Sequence, residues 1–236
     1  MPLFQTILNN LPEVGGPTQR RLSFKEKLKW TALALVIFFV LGLMPLFGLG
    51  QNALQQFEFL SIILAAQFGS IISLGIGPMV TASIVLQLVN GSGLYKFDLT
   101  SPEGKKKFQG WQKLLSIGFI IFEAIVYVFL GGLAPPEQLA GTPLYFQLQL
   151  LMVFQLFVGG MLVLFLDEVV SKWGFGSGIS LFIAAGVSQQ VFVQAFNWLP
   201  GPGGLSGVTY SVGAIPALFQ ALAAGDPTTA GIKLAT

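Results

Sequence analysis

An apolar stretch that is interrupted halfway constrains this chain more than any other feature. From Phe57 to Ala66 the residues run FEFLSIILAA; a polar and glycine-rich interval follows, ending in Gly75-Ile76-Gly77-Pro78, and apolar residues resume through Val89. Neither half reaches the ~20 residues that an α-helix needs to cross a bilayer. A break at half depth leaves backbone N–H and C=O groups that lipid cannot satisfy, so it survives only against other protein or along a watery cavity. Gly75 and Gly77 permit unusual backbone angles. Pro78 fits the first turn of a new helix, where its missing N–H costs nothing. A half-helix is therefore expected to start near Pro78, with Gly75, Gly77 and Pro78 as the hinge, and the chain is expected to line a passage inside a membrane.

The rest of the chain agrees with a membrane setting. Hydrophobic residues make up 53% and charged residues 9%, with a mean hydropathy of +0.75, outside the range of ordinary soluble domains. There are no histidines and no cysteines, which removes imidazole acid–base chemistry, disulfides and the commonest zinc ligands. The chain is read as a non-enzyme, without metal or cofactor.

Four uninterrupted spans join the broken one: about Leu28–Leu46, the broken Phe57–Val89, Trp111–Leu130, Leu144–Leu166 (stopping at Asp167-Glu168), and Gly178–Trp198. The expected fold is an all-α membrane protein, a five-span helical bundle with a broken, half-inserted second span. Residues 1–27 form a cytoplasmic arm, in which Leu3, Phe4, Ile7, Leu8 and Leu11 fall at the spacing of a short amphipathic helix. Residues 28–198 form the bundle, and residues 199–236 an external loop with one short helix near Ala214–Ala224. Eleven of the twelve Lys and Arg lie in the arm, at Lys29 just beyond it, from Tyr95 to Lys113, or at Lys172, and only Lys233 lies on the other side. The positive-inside rule then puts the N-terminus in the cytoplasm and, after five crossings, the C-terminus outside. An odd span count means that a following copy of the unit would enter upside down, the origin of inverted repeats.

Two helix starts carry β-branched pairs four residues apart. Ile76 and Val80 flank the break, and Ile179 and Ile183 follow Gly174-Phe175-Gly176-Ser177-Gly178. Such pairs could meet in a narrow apolar collar that excludes ions by dewetting; on spacing alone, packed or lipid-facing residues are the commoner reading. Glu123 lies near mid-depth of the third span, where a carboxylate is expensive and marks a functional candidate or a structural hydrogen bond. Lys105-Lys106-Lys107 reads as a basic knot on a cytoplasmic loop. Trp30, Trp111, Trp173 and Trp198 read as interfacial anchors at span ends. Gly174 and Gly178 make a GxxxG at a span edge, read as a flexible lead-in.

The stretches LGIGPMVTASIVLQL (residues 74–88), DEVVSKWGFGSGISLFIAAGVSQ (residues 167–189) and LPEV…SFKEKLKWTALAL (residues 11–35) resemble, in order, the N-terminal half of the SecY family, the central subunits of Sec protein-conducting channels. The first of these segments in the chain is most similar to the archaeal and eukaryotic branch. The resemblance covers residues 3–198 and thins beyond Trp198. It implies half of a ten-span inverted-repeat channel that passes unfolded secretory chains and releases hydrophobic segments sideways into lipid. By this resemblance Ile76, Val80, Ile179 and Ile183 belong to the pore ring. Phe57–Ala66, with Phe57, Phe59, Leu60, Ile62, Ile63 and Leu64, is the plug. Thr81, Ile84, Gln87 and Glu123 lie at the lateral gate. The implied partners are a SecE-like subunit, a small peripheral Sec subunit, the ribosome (mostly through the other half), signal peptides and nascent chains, the lipid bilayer and a second five-span half. The implied location is an archaeal plasma membrane. Since one arc cannot enclose a pore, the chain is expected to be part of a longer protein or to pair with a separate second half. The competing reading is half of a secondary transporter with broken helices; ion-coupled carriers usually hold several intramembrane charges, whereas Glu123 stands alone well inside a span.

Overall fold

The helices Phe24–Leu43 and Pro102–Phe129 start on side-chain caps, and Gly77–Gly91 and Pro143–Trp173 on a proline in the first turn. A computed structural model describes residues 11–17, 22–50, 69–95, 97–198 and 213–223. The first helix, α1 (Phe24–Leu43), opens on a reciprocal cap: the Glu26 N–H donates to Ser23 Oγ at 3.4 Å and the Ser23 N–H donates to Glu26 Oε2 at 3.2 Å, so two orphan donors are satisfied. Helix α2 (Gly77–Gly91) has Pro78 in its first turn. Helix α3 (Pro102–Phe129) has Ser101 as its cap and Pro102 at its first position; Ser101 Oγ accepts the Gly104 N–H at 3.1 Å. Just upstream, hydrogen bonds from the Thr100 hydroxyl and N–H hold the Asp98 carboxyl below its ordinary pKa. A 3₁₀ turn (Glu137–Leu139) leads to α4 (Pro143–Trp173), followed by α5 (Gly178–Phe196) and α6 (Ala214–Ala223). Among the described residues there is no strand beyond one isolated bridge, Pro45 with Ser70.

The chain divides into two units, Met1–Ile183 and Ala184–Thr236. In the first, α4 is the central element: α1 packs on it, α3 packs on it, and α2 packs on α3. Burial explains the order. Met152, Leu156, Val163 and Val170 of α4, Ile120, Ala124 and Val128 of α3, and Phe38 of α1 are within 3% of full burial. Phe182, at the start of α5, is fully buried and stacks on Phe38 with centroids 4.6 Å apart and planes at 15°. The close crossing of α3 and α4 depends on Gly160, where an added Cβ would stand 2.6 Å from Ile120 Cγ2. In the second unit, the Gly213 N–H donates to the Asn197 carbonyl at 2.8 Å, bringing the start of α6 back to the end of α5.

Among the described residues three helices, α3, α4 and α5, are long and apolar enough to cross a membrane. The basic residues Lys25, Lys27 and Lys29 occupy the first turns of α1 and leave it a shorter apolar run. Two sequence expectations are corrected. Lys105-Lys106-Lys107 lies not on a loop but in the opening turns of α3, because Ser101-Pro102 nucleates the helix well before the apolar run begins. Helix α4 does not stop at Asp167-Glu168; it continues to Trp173, the charges ending only its apolar stripe. The expected plug, Phe57–Ala66, and the residues Leu3, Phe4, Ile7 and Leu8 of the expected amphipathic helix lie outside the described residues.

Candidate functional site

The break is built from a chain of tight turns. The Ser73 N–H donates to Ser70 O at 3.1 Å, Gly75 to Ile72 O at 2.8 Å and Gly77 to Leu74 O at 3.3 Å, each closing an i→i+3 turn. Gly75 has φ +55° within this run, a conformation that costs other residues strain. Helix α2 then emerges from Gly77. Its 15 residues span about 22 Å at 1.5 Å per residue, short of a ~30 Å hydrocarbon core.

The residues that the sequence singled out as a collar fall around this turn and the start of α5. Ile76 caps α2 and is 3% exposed. Val80 and Ile179 are half-buried and pack against the same core, while Ile183 is 38% exposed. The first three therefore share one apolar cluster, and Ile183 presents its side chain outward. Of the expected gate residues, Thr81 and Glu123 are half-buried, on helices α2 and α3 that pack together. Ile84 is exposed. Gln87 is also exposed, and its Nε2 donates to Ser83 Oγ one turn back at 3.0 Å. No group of His, Cys, Asp or Glu that could hold a metal occurs among the described residues.

The GFGSG corner is a fitted joint rather than a loose one. The carboxylate of Asp167, on α4, accepts the Ile179 N–H at 2.9 Å and so caps α5 from outside. A Cβ on Gly178 would lie 2.6 Å from that carboxylate oxygen and 2.7 Å from Asp167 Cα. At Gly174 it would meet Thr31 Oγ1 at 2.7 Å. Thr31, buried in α1, accepts the Phe175 N–H at 3.2 Å. The span edge expected to be a flexible lead-in is thus pinned to both α1 and α4.

Two constellations escaped the sequence reading. The first is a polar clamp on residues 12–15. Glu168 pairs with Lys113 of α3, both largely buried, and accepts the Val14 N–H at 2.9 Å. Lys113 also donates to the Pro12 carbonyl, Lys172 donates to Val14 O at 2.7 Å, and Trp173 Nε1 donates to Gly15 O at 2.8 Å. Trp30 and Trp173, expected as separate anchors, lie 5.3 Å apart. The second is a seat on α4 for the turns that flank the bridge. The Phe47 N–H donates to Gln155 Oε1 at 3.0 Å, and Gln155 Nε2 donates back to Phe47 O at 3.3 Å. Gly159 faces Ile71 so closely that a Cβ there would collide with the Ile71 carbonyl. The charges of Lys113, Glu168 and Lys172 signalled the first, and Gln155 with the Gly159-Gly160 doublet within α4 the second.

Among the described residues, an all-helical architecture with three helices of spanning length and a short helix led in by tight turns defines a polytopic α-helical membrane protein. Family models narrow this class: the SecY model matches residues 70–230 and the plug domain of Sec61p matches residues 36–69. The chain belongs to the SecY family. It is 51% identical, over 84% of its length, to protein translocase subunit SecY of Methanothermobacter thermautotrophicus, and 42% identical, over 91%, to that of Pyrococcus furiosus. Of those two relatives it spans 42% and 46%. A solved protein-conducting channel aligns with 94% of this chain and 46% of its own length, at 40% identity and a TM-score of 0.74. The Sec61 chain of a canine ribosome-channel complex aligns with the same coverage, identity and score. These likenesses support a translocation channel and not the transporter alternative.

Proposed function

We propose that this chain forms one half of a protein-conducting channel, which passes unfolded secretory chains across the membrane and releases hydrophobic segments sideways into lipid. The reading rests on the run of tight turns that leads into the short helix α2, and on Ile76, Val80 and Ile179 sharing one apolar cluster. With Ile183, these side chains form part of a collar that fits loosely around a moving chain and gives it nothing to bind. Residues 57–66 act as the plug, α2 and α3 flank the lateral gate with Thr81 and Glu123 as its polar members, and Gly75, Gly77 and Pro78 form the hinge. The bundle has five spans, the second broken, in an archaeal plasma membrane with the N-terminus cytoplasmic and the C-terminus external. A second five-span half completes the ring. A SecE-like subunit, a small peripheral subunit and a translating ribosome are its further partners, the last supported by the ribosome-bound state of the similar Sec61 chain.

The test is a crosslink. With a photoreactive residue at position 183 or 179 in the complete channel, a stalled secretory precursor is expected to react while a soluble cytosolic protein does not. Reaction with neither, in a channel that otherwise transports the precursor, removes these positions from the path.

The gate assignment makes a separate prediction. Glu123→Leu is expected to shift the hydrophobicity at which a test segment leaves the channel for lipid, because a polar wall favours retention of marginal segments. Scoring a graded Leu/Ala segment series for insertion measures this, and an unchanged threshold returns Glu123 to a scaffold role.

A further inference from the structure

Helix α4 carries one face that no packing requirement explains. Leu148, Met152, Gln155 and Gly159 are spaced 4, 3 and 4 residues apart and so lie on one side of the helix. Every one of them meets the non-helical chain that follows α1 or precedes α2. Gly48, at φ +91°, rests against Leu148 and Met152, to which an added Cβ would come within 3.2 and 3.9 Å. Gln155 makes both hydrogen bonds to Phe47. Gly159 leaves room for the Ile71 carbonyl. Between these points the two segments hold each other: Leu46 N–H donates to Gly69 O at 2.7 Å and Ile71 N–H donates to Met44 O at 3.0 Å.

The choice of glutamine at position 155 is chemically specific. Phe47 and Gly48 turn outside any helix, so the Phe47 N–H and C=O have no intrahelical partners. Gln155 stands 12 residues into α4, about 18 Å along its axis, level with that turn. Its side-chain amide is the one neutral side-chain group that offers a donor and an acceptor side by side. It thus satisfies both backbone groups of Phe47 at once.

What the seat fixes is the turn beyond it. From Ser70 to Gly77 the backbone is a closed run of i→i+3 hydrogen bonds, so the position of Ile71 on α4 determines the position of Ile76. We propose that Gln155 is a positioning residue: with Gly159 it seats residues 44–48 and 69–71 on one face of α4 and thereby sets where Ile76 stands in the resting channel. This rests on the channel reading above. It adds a residue outside the collar that governs how tightly the collar closes.

The complete channel, reconstituted with its partner subunits, allows a test in two readouts. Gln155→Met keeps the shape and removes both hydrogen bonds; Gln155→Glu keeps the shape and one acceptor. In Gln155→Met the amides of residues 44–48 are expected to exchange with deuterium roughly tenfold faster, the loss of two hydrogen bonds of ordinary strength. The fraction of time that the unoccupied channel conducts ions in a planar bilayer should rise by about the same factor, since the same equilibrium is displaced. Gln155→Glu should fall between Met and the parent in both. A side chain that only fills space would leave Met equal to the parent. Unchanged exchange in Gln155→Met overturns the inference, and so does faster exchange with unchanged leak, which would leave the hydrogen bonds real but without control of the collar. If Gln155→Met does not assemble, Gln155→Glu is read alone: a rise in both readouts supports the seat, and parental values overturn it. In either case the parent's ability to transport a precursor is scored separately, so failure of the channel reading is told apart from failure of this one.

Discussion

Gly159→Ala is expected to destabilise the assembled protein by about 3 kcal/mol or more, at the upper end of overpacking costs, although the same substitution at Gly118 is expected to be neutral or mildly stabilising. Both glycines lie inside apolar helices, Gly118 in α3 and Gly159 in α4. Helix propensity alone favours alanine at each by up to ~1 kcal/mol. Their surroundings decide the sign. A Cβ on Gly118 meets nothing within 4 Å, whereas one on Gly159 strikes the carbonyl carbon and oxygen of Ile71. That carbonyl has little freedom to retreat, because the Ile71 N–H is held by Met44 O and the preceding residues by Leu46. Interior packing at near-crystalline density passes such a collision on to its neighbours. Thermal unfolding of the two variants in detergent, side by side, measures the difference; equal midpoints would mean that the turn and α4 can separate without cost.

The second large effect concerns the collar. Val80→Asn together with Ile183→Asn in the complete channel is expected to raise resting ion conductance across a planar bilayer about tenfold. A narrow apolar throat excludes ions because water leaves it. Two amides at the rim would keep water in place and open a conducting path. Val80 and Ile183 are the informative pair because they are half-buried and 38% exposed, respectively. Ile76 would be a poor probe: at 3% exposure it belongs to the core, and a buried amide without partners costs about 1–3 kcal/mol in its own right. Normal folding with parental conductance would take Val80 and Ile183 out of the seal.

Local signals account for what could be read from the sequence. Gly-x-Gly-Pro marks the start of α2 because the backbone freedom of Gly75 and the fixed φ of Pro78 act within a few residues. The starts of α1 and α3 are equally local, through Ser23 with Glu26 and Ser101 with Pro102; both were passed over, which began the first span at Leu28 and put the lysine knot on a loop. Apolar run length identified α3, α4 and α5 as spanning helices, but it measures the stripe that faces lipid. It therefore ended α4 at Asp167, two turns short of Trp173. What remained hidden is long-range. That Lys113 meets Glu168, that Gln155 meets Phe47 and that Gly159 meets Ile71 depends on which face of α4 each neighbour chooses, and no periodicity within a single helix carries that choice. The family resemblance supplied roles for the collar and gate residues, yet said nothing of these contacts, because they belong to the packing of this chain.

The clamp around residues 12–15 has a mechanical corollary. Glu168 stands at a junction where α3 contributes Lys113, α4 contributes Lys172 and the arm contributes its own backbone. Because Lys113 and Glu168 are mostly withdrawn from solvent, parting them strands a charge, which is costly out of proportion to the bond itself. The two helices therefore resist sliding past each other while residues 12–15 stay put. Whatever tilts one helix against the other must also tug on, or cast off, the short length of chain lashed across their ends, so residues 12–15 travel with the hull rather than trailing behind it.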